Sequence, residues 1–245
     1  MQNRCLRLKT AGYYLFLLYF PAVILTSCYN ADFKKPVYPE PAEAFPEPLT
    51  LFSILKNHHP ESMIFAQKAV LELNGHSMPA IGLCKYNQPD KFAALSLLTA
   101  TGIKVLEVEE KNNRVIKSFI MPDLADKIKS EKKAVAQIAD DIKFIFFIPD
   151  KKPAEFLKSS SYMLLGWKNG IRKTVLKFGW APDIHQFVLK EKIYYIKQYP
   201  EMSVFYYNHK KYNNKIVPMK IRYENFRFGY SLIIKNTDIL NNESK

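Results

Sequence analysis

The sequence predicts a mainly antiparallel β fold with helices, in which a curved sheet or half-barrel wraps around helical segments. Three observations support this class. Apolar and polar residues alternate through most of the chain beyond Leu49, with short connections. Residues 123–148 instead carry apolar residues at helical spacing, and the last strands present one broadly apolar face.

The N-terminal segment precedes this body and has the pattern of a signal peptide. Arg4, Arg7 and Lys9 form a basic region, and residues 13–25 form an apolar run too short for a comfortable bilayer crossing. Leu25-Thr26-Ser27-Cys28 resembles a bacterial lipobox, so residues 1–27 are predicted to be removed and Cys28 to be lipidated. The alternative is an uncleaved signal anchor. Tyr29, in place of the Asp typical of inner-membrane retention, favours the outer membrane and a periplasm-facing domain.

Residues 28–48 have the composition of a spacer, since prolines are interleaved with glutamates. Such a segment favours extended polyproline geometry and cannot form a core. The sequence therefore predicts a tether here and a folded domain over 49–245. A proline-rich recognition ligand is the alternative, but few basic residues flank the prolines.

The body begins with a short predicted helix over 49–57 and continues as strands. Residues 68–73 alternate, residues 91–102 are apolar on both faces, and Asn112-Asn113 forms a predicted two-residue turn between strands. This order is typical of an antiparallel meander.

The central segment 123–148 is predicted to form one helix or two in tandem. Leu124, Ile128, Val135, Ile138 and Ile142 recur at helical spacing. Asp140-Asp141 is interpreted as the solvated side of this helix. A catalytic pair is the alternative.

The C-terminal strands give the most regular pattern. Val217, Met219, Ile221 and Tyr223 share one predicted face. Phe226, Phe228, Tyr230, Leu232 and Ile234 share a second, and Pro218 predicts an edge or bulge because it lacks an amide donor. Phe226, Phe228, Tyr230 and Leu232 are the candidates for the lining of a hydrophobic cavity, with ordinary core packing as the alternative.

No enzyme signature is present, and neither a cofactor nor a metal is expected. His58 and His59 are adjacent, which does not place two ligands on one helix face. Nucleophile-elbow, P-loop and dinucleotide motifs are lacking. Cys84 is predicted to be a small buried apolar residue in a strand, without an activating partner.

The net charge of +13 permits anionic partners. Groups of basic residues, among them His209, Lys210 and Lys211, are predicted to form positive surface patches. Anionic lipid headgroups or an acidic carrier fit these patches better than nucleic acid, for which no binding module is recognisable. The alternative is a solvated surface.

Residues 67–122, the apolar helix and the late "VPMKIRYENFRFGYSLII" hairpin resemble the lipoprotein carriers of the Lol pathway. The pattern spans residues 60–235 and is most similar to LolB-like envelope lipoproteins, some of which accompany aryl-polyene lipid biosynthesis. This resemblance implies an incomplete antiparallel barrel with lid helices around a cavity for acyl chains. The exposed apolar loop of the receptor-type members is not placed by the sequence.

Two functions are compatible with these patterns. The first is a non-enzymatic, outer-membrane-anchored carrier or acceptor that binds acyl chains of a lipid or lipoprotein, as a monomer held to the membrane through Cys28. The second is a structural or assembly lipoprotein that uses the same fold to bind a protein. An open apolar cavity would favour the first, and a filled core with an exposed apolar patch would favour the second.

Overall fold

The computed structural model describes residues 35–36, 38–73, 75–122 and 131–240. The predicted signal peptide 1–27, Cys28 and residues 123–130 of the predicted helical segment lie outside them. Two helices are described, α1 (Pro48–His58) and α2 (Glu131–Phe146), together with a short 3-10 turn at Pro182–Ile184. The strands are β1 (Ser62–Leu73), β2 (His76–Asn87), β3 (Phe92–Leu98), β4 (Lys104–Lys111), β5 (Arg114–Ile120), β6 (Glu155–Lys158), β7 (Tyr162–Asn169), β8 (Arg172–Ala181), β9 (Gln186–Ile196), β10 (Tyr199–Tyr212), β11 (Lys215–Asn225) and β12 (Tyr230–Leu240).

All twelve strands belong to one antiparallel sheet in the order β5-β4-β3-β2-β1-β12-β11-β10-β9-β8-β7-β6. Neighbours along the chain pair with each other, and β12 pairs with β1, so that the last strand joins the two halves. β5 and β6 are the two edges and do not pair with one another. The prediction of an incomplete barrel that covers lid helices is confirmed.

Paired asparagines form two of the tight turns. Asn112 and Asn113 have φ of 51° and 61°, as the predicted turn between β4 and β5 requires. Asn213 and Asn214, between β10 and β11, repeat this geometry with φ of 46° and 60°. Asparagine tolerates the left-handed region better than other residues with a Cβ, which explains its use at both turns.

Helix α1 forms where predicted and packs by apolar contacts. Pro48 occupies its first turn, where a missing amide hydrogen costs nothing. Leu51, Phe52 and Leu55 are buried along one face. We call the core around them the α1 cluster, which consists of Phe45, Leu51, Phe52, Leu55, Ile148, Met163, Leu165, Leu176 and Phe178.

Helix α2 confirms the helical spacing predicted within 123–148. Its inward residues belong to a second and larger core, the α2 cluster, which also includes inward residues of β1–β5, β10, β11 and β12. Members contributed by α2 are Val135, Ala139, Ile142, Ile145 and Phe146.

The interpretation of Asp140-Asp141 as a solvated pair is correct for Asp140 and wrong for Asp141. The side chain of Asp140 is 64% exposed, whereas Asp141 is only 4% exposed. Asp141 follows Ala139 by two residues and precedes Ile142 by one, so it lies at the border of the apolar stripe. There the sheet covers it, and it finds hydrogen-bond partners on β11 and β12.

The late strands confirm part of the predicted apolar face. Val217, Ile221 and Tyr223 of β11 are buried. β12, however, begins only at Tyr230, because residues 226–229 form a turn that Asn225 Oδ1 stabilises by accepting the amide hydrogen of Phe228. The expectation that Phe226 and Phe228 continue the strand face is therefore wrong, and they are 51% and 49% exposed.

Part of the proline-rich segment lies against the sheet. Tyr38 donates a hydrogen bond to Glu191 at 3.1 Å, and the Lys177 ammonium lies 4.0 Å from the centre of its ring. A Cβ at Gly179 would approach the Tyr38 ring to 2.9 Å, so the glycine provides space for this contact. Within the predicted tether, Tyr38 thus contacts the sheet and Phe45 is buried.

Candidate functional site

A small cavity lies between α1, the C-terminal end of α2 and the concave side of the sheet. Its volume is about 50 Å³, enough for a few small atoms. The wall is mostly apolar and includes Leu51, Leu55, Phe65, Phe178, Phe187 and Val188. The space therefore lies at the junction of the two clusters, under α1.

Three histidines contribute the polar part of the wall, namely His58, His59 and His209. Each gives one ring hydrogen to a backbone carbonyl: His58 Nδ1 to Asn214 at 2.9 Å, His59 Nε2 to Phe146 at 2.7 Å, and His209 Nε2 to Leu189 at 2.9 Å. A carbonyl oxygen only accepts, so these contacts fix which ring nitrogen carries the hydrogen.

Burial keeps the inner two histidines neutral. It lowers the pKa of His59 to about 4 and the pKa of His209 to about 3, because the charged imidazolium loses its hydration. The nearby cations Lys192 and Lys215 add to the effect at His59, and Lys190 adds to it at His209. The prediction that His209 joins a surface patch with Lys210 and Lys211 is wrong for His209. Asn208 has a φ of 51° and locally interrupts the alternation of β10.

The C-terminal end of α2 is held by side chains from the sheet. Lys192 of β9, 2% exposed, donates to the carbonyls of Phe144 and Phe147. Tyr206 of β10 donates to the Ile145 carbonyl at 2.6 Å. These donors satisfy carbonyls that a helix end leaves without partners, and a cation is favourable beside them.

Burial nevertheless lowers the pKa of Lys192 to about 7, because its ammonium has little water around it. Sequence reasoning missed this lysine. Its phase in β9 gave no signal, because the strand is bulged between Leu189 and Glu191. The bulge brings Lys192 opposite the buried Leu176.

Asp141 forms the second buried polar contact of α2. Tyr230 donates to one of its oxygens, and Gln137 donates to the other at 2.7 Å. Asn225 adds a longer contact of 3.4 Å. Burial raises the pKa of Asp141 to about 7, although these hydrogen bonds favour the carboxylate.

The structure separates the four predicted cavity residues. Phe226 and Phe228 lie in the exposed β11–β12 turn, while Tyr230 and Leu232 are partly buried against the α2 cluster. None of the four contributes to the wall of the cavity under α1. Cys28 lies outside the described residues.

Three further features of the described residues concern thiol reactivity, metal binding and membrane crossing. Cys84 is buried in β2, as predicted, and burial raises the pKa of its thiol to about 12. Within the described ranges, no group of three or more His, Cys, Asp or Glu side chains is placed to hold a metal ion. Neither of the two described helices has the length and apolarity needed to cross a bilayer.

Solved structures provide the comparison for this architecture. A LolA superfamily protein from Nitrosomonas europaea matches with a TM-score of 0.51 at 13% sequence identity, over 77% of this chain and 91% of that one. The chain has a LolA-like fold. No protein-family model and no curated protein matches the sequence.

Two further structures have similar coverage. A putative outer membrane lipoprotein-sorting protein domain from Vibrio parahaemolyticus matches with a TM-score of 0.48 and 11% identity, over 81% of this chain and 94% of that one. A DUF1329 family protein from Desulfovibrio piger matches with a TM-score of 0.48 and 9% identity, over 82% and 95% respectively. In the LolA-like fold of this chain, α1 and α2 are the helices that cover the concave face.

Proposed function

We propose that the protein is a non-enzymatic carrier or acceptor that binds acyl chains of a lipid or lipoprotein between its helices and its sheet. The observation that supports this most is a LolA-like open sheet with an apolar concave face, covered by two helices that leave a cavity between them. Burial of each chain methylene there would contribute about 0.8 kcal/mol.

The described conformation is the closed one in this proposal. A cavity of about 50 Å³ is well below the roughly 300 Å³ that holds a typical ligand. A chain therefore enters only when a helix moves outward. α1 is the helix that moves, because the cavity lies directly beneath it. Its buried contacts with the sheet are mainly apolar, and an acyl chain can replace them.

The proposal also places the protein at the outer membrane, held by a lipid anchor. Residues 1–27 act as a lipoprotein signal peptide, Cys28 carries the lipid, and the part of 28–48 that precedes Tyr38 connects the anchor to the domain at the outer membrane. Several acyl chains on one cysteine would hold the protein firmly, since a single chain anchors only marginally. Tyr230 and Leu232 are candidates for contact with a long chain near the α2 cluster. An association with aryl-polyene lipids stays a prediction, and no observation favours a purely structural role.

Binding is tested with a fluorescent fatty acid and native mass spectrometry on the mature chain with Cys28→Ser. Leu189→Phe enlarges a side chain that lines the cavity and packs against both clusters, so it should fill the cavity and abolish binding at a moderate cost in stability. Ile171→Phe, at an exposed hairpin position, is the matched control and should bind as the parent does. If the filled variant also binds as the parent does, chains do not enter under α1.

The anchor is tested separately in cells. The intact mass of the mature protein should begin at an acylated Cys28, and Cys28→Ser should move the protein from the membrane to the soluble fraction. A mature protein without fatty acids on its first residue would contradict the anchor and leave the binding proposal standing.

A further inference from the structure

The cavity under α1 has an unusual set of polar groups. His209 Nδ1 is buried and has no hydrogen-bond partner among the described residues. Because its Nε2 hydrogen is given to the Leu189 carbonyl, Nδ1 has only a lone pair to offer. An orphaned buried acceptor is costly, which makes a ligand or water that donates a hydrogen favourable at this point.

The other two imidazoles also donate a ring hydrogen to a backbone carbonyl. The Phe146 carbonyl takes the Nε2 hydrogen of His59, and the Asn214 carbonyl takes the Nδ1 hydrogen of His58. Burial keeps His59 neutral, so its second nitrogen is an acceptor as well. The hydroxyl of Tyr206 does not change this, since its hydrogen is given to the Ile145 carbonyl. The wall of the cavity thus offers lone pairs and apolar surface.

The charges around the cavity further restrict which ligand groups fit it. Lys190, Lys192 and Lys215 raise the local positive potential at the inner histidines. Lys192 and Lys215 direct their hydrogens at backbone carbonyls, those of α2 and of Asn57 respectively. The positive potential disfavours an ammonium, and the lone pairs of the imidazoles disfavour a carboxylate or phosphate in direct contact.

We infer that this cavity is a subsite for the polar end of a neutral amphiphile that donates a hydrogen, such as the hydroxyl of a fatty alcohol or monoacylglycerol, with His209 Nδ1 as the acceptor. The inference rests on the proposed carrier function and adds selectivity to it. The volume suits a hydroxyl and its adjoining carbon atoms, while the chain occupies the space that α1 opens.

The test compares four ligands of one chain length on the mature chain with Cys28→Ser, by displacement of a fluorescent fatty acid. Oleyl alcohol should bind roughly three- to tenfold more tightly than oleyl methyl ether, which lacks only the donor hydrogen. Oleate and oleylamine should both bind more weakly than the alcohol. The His209→Leu variant should remove the preference for the alcohol over the ether, and His76→Leu, at an exposed strand position, should keep it.

A second measurement uses the protein with His209 unaltered, so its result does not depend on whether the His209→Leu variant folds. In long-range proton–nitrogen spectra, the Nδ1 resonance of His209 should move upfield on addition of oleyl alcohol and stay in place with the ether. Equal affinities for alcohol and ether, a preference for oleate, or an unmoved Nδ1 resonance would overturn the inference and leave the carrier proposal intact. If none of the four ligands binds, the carrier proposal itself fails.

Discussion

The two helices under the sheet are held in different ways. α1 buries Leu51, Phe52 and Leu55 in the α1 cluster, and no side chain caps its N-terminus. Its polar contacts to the sheet, made by His58 and Lys215 at the C-terminal end, are exposed. α2 is also packed by apolar residues, but in addition it has a buried carboxyl at Asp141 and the buried Lys192 at its C-terminal end. Apolar burial has no preferred direction and hardly depends on pH. Contacts of ionisable groups are directional, and their strength depends on pH. In the proposed carrier, this difference favours α1 over α2 as the helix that exchanges its contacts for those of an acyl chain.

The largest expected effect is common to both regions. Phe146→Ala removes a ring of α2 that stacks on Tyr86 at 4.9 Å between ring centres. Phe52→Ala removes the ring of α1 that lies 5.6 Å from Trp167. Each should lower the free energy of unfolding by about 3–5 kcal/mol in urea titrations. A much smaller loss for Phe52→Ala would indicate that α1 contributes little to stability even when closed.

The change in stability caused by Asp141→Asn should depend on pH, and this dependence should distinguish α2 from α1. Because the folded pKa of Asp141 is raised from 3.8 to about 7, the unfolded chain loses this proton first. The contribution of Asp141 to stability is therefore present below pH 4 and is lost as the pH rises to about 7. Relative to the parent, Asp141→Asn should be neutral at pH 4 and more stable at pH 8, by on the order of 4 kcal/mol at most.

The matched control for this titration lies on the same helix. Asp140→Asn, at the exposed neighbour, should show no comparable change relative to the parent between pH 4 and pH 8. An Asp141→Asn variant that is less stable than the parent at pH 8 would mean that the carboxylate form is the one that holds α2.

Lys192→Met should have an effect of intermediate size. It leaves the carbonyls of Phe144 and Phe147 without their donor, at a cost of about 1–3 kcal/mol. The folded pKa of Lys192 is lowered to about 7, so its contribution is present above about pH 10.5 and lost as the pH falls to 7. The deficit of the variant should thus grow between pH 7 and 10 in denaturant titrations, and a constant deficit would exclude this titration.

The smallest effect is expected in the β11–β12 turn. Phe226→Ser changes a half-exposed ring, and should alter the free energy of unfolding by less than about 0.5 kcal/mol. Tyr230→Phe, four residues later, removes the hydroxyl that donates to Asp141 and should cost about 1 kcal/mol. Loss of fatty-acid binding in Phe226→Ser would restore Phe226 as a residue of the ligand site.

The sequence predicted the architecture because its signals are local. Strand alternation, the Asn112-Asn113 turn and the apolar spacing of α2 all depend on residues close together in the chain. The polar part of the site depends on pairs far apart. Asp141 meets Tyr230 across 89 positions, and Lys192 meets Phe144 across 48. A single lysine in a strand or aspartate on a helix looks solvated until its distant partner is known, and both were missed for that reason.

The two unpaired margins of the sheet have a mechanical consequence. β5 and β6 end the strand order without hydrogen bonds between them, so the circumference of the sheet is not fixed by a closed ring of ladders. A small change of twist, distributed over eleven strand pairs, separates these margins and enlarges the interior while every backbone ladder stays intact. A closed barrel would have to break a ladder to admit the same volume.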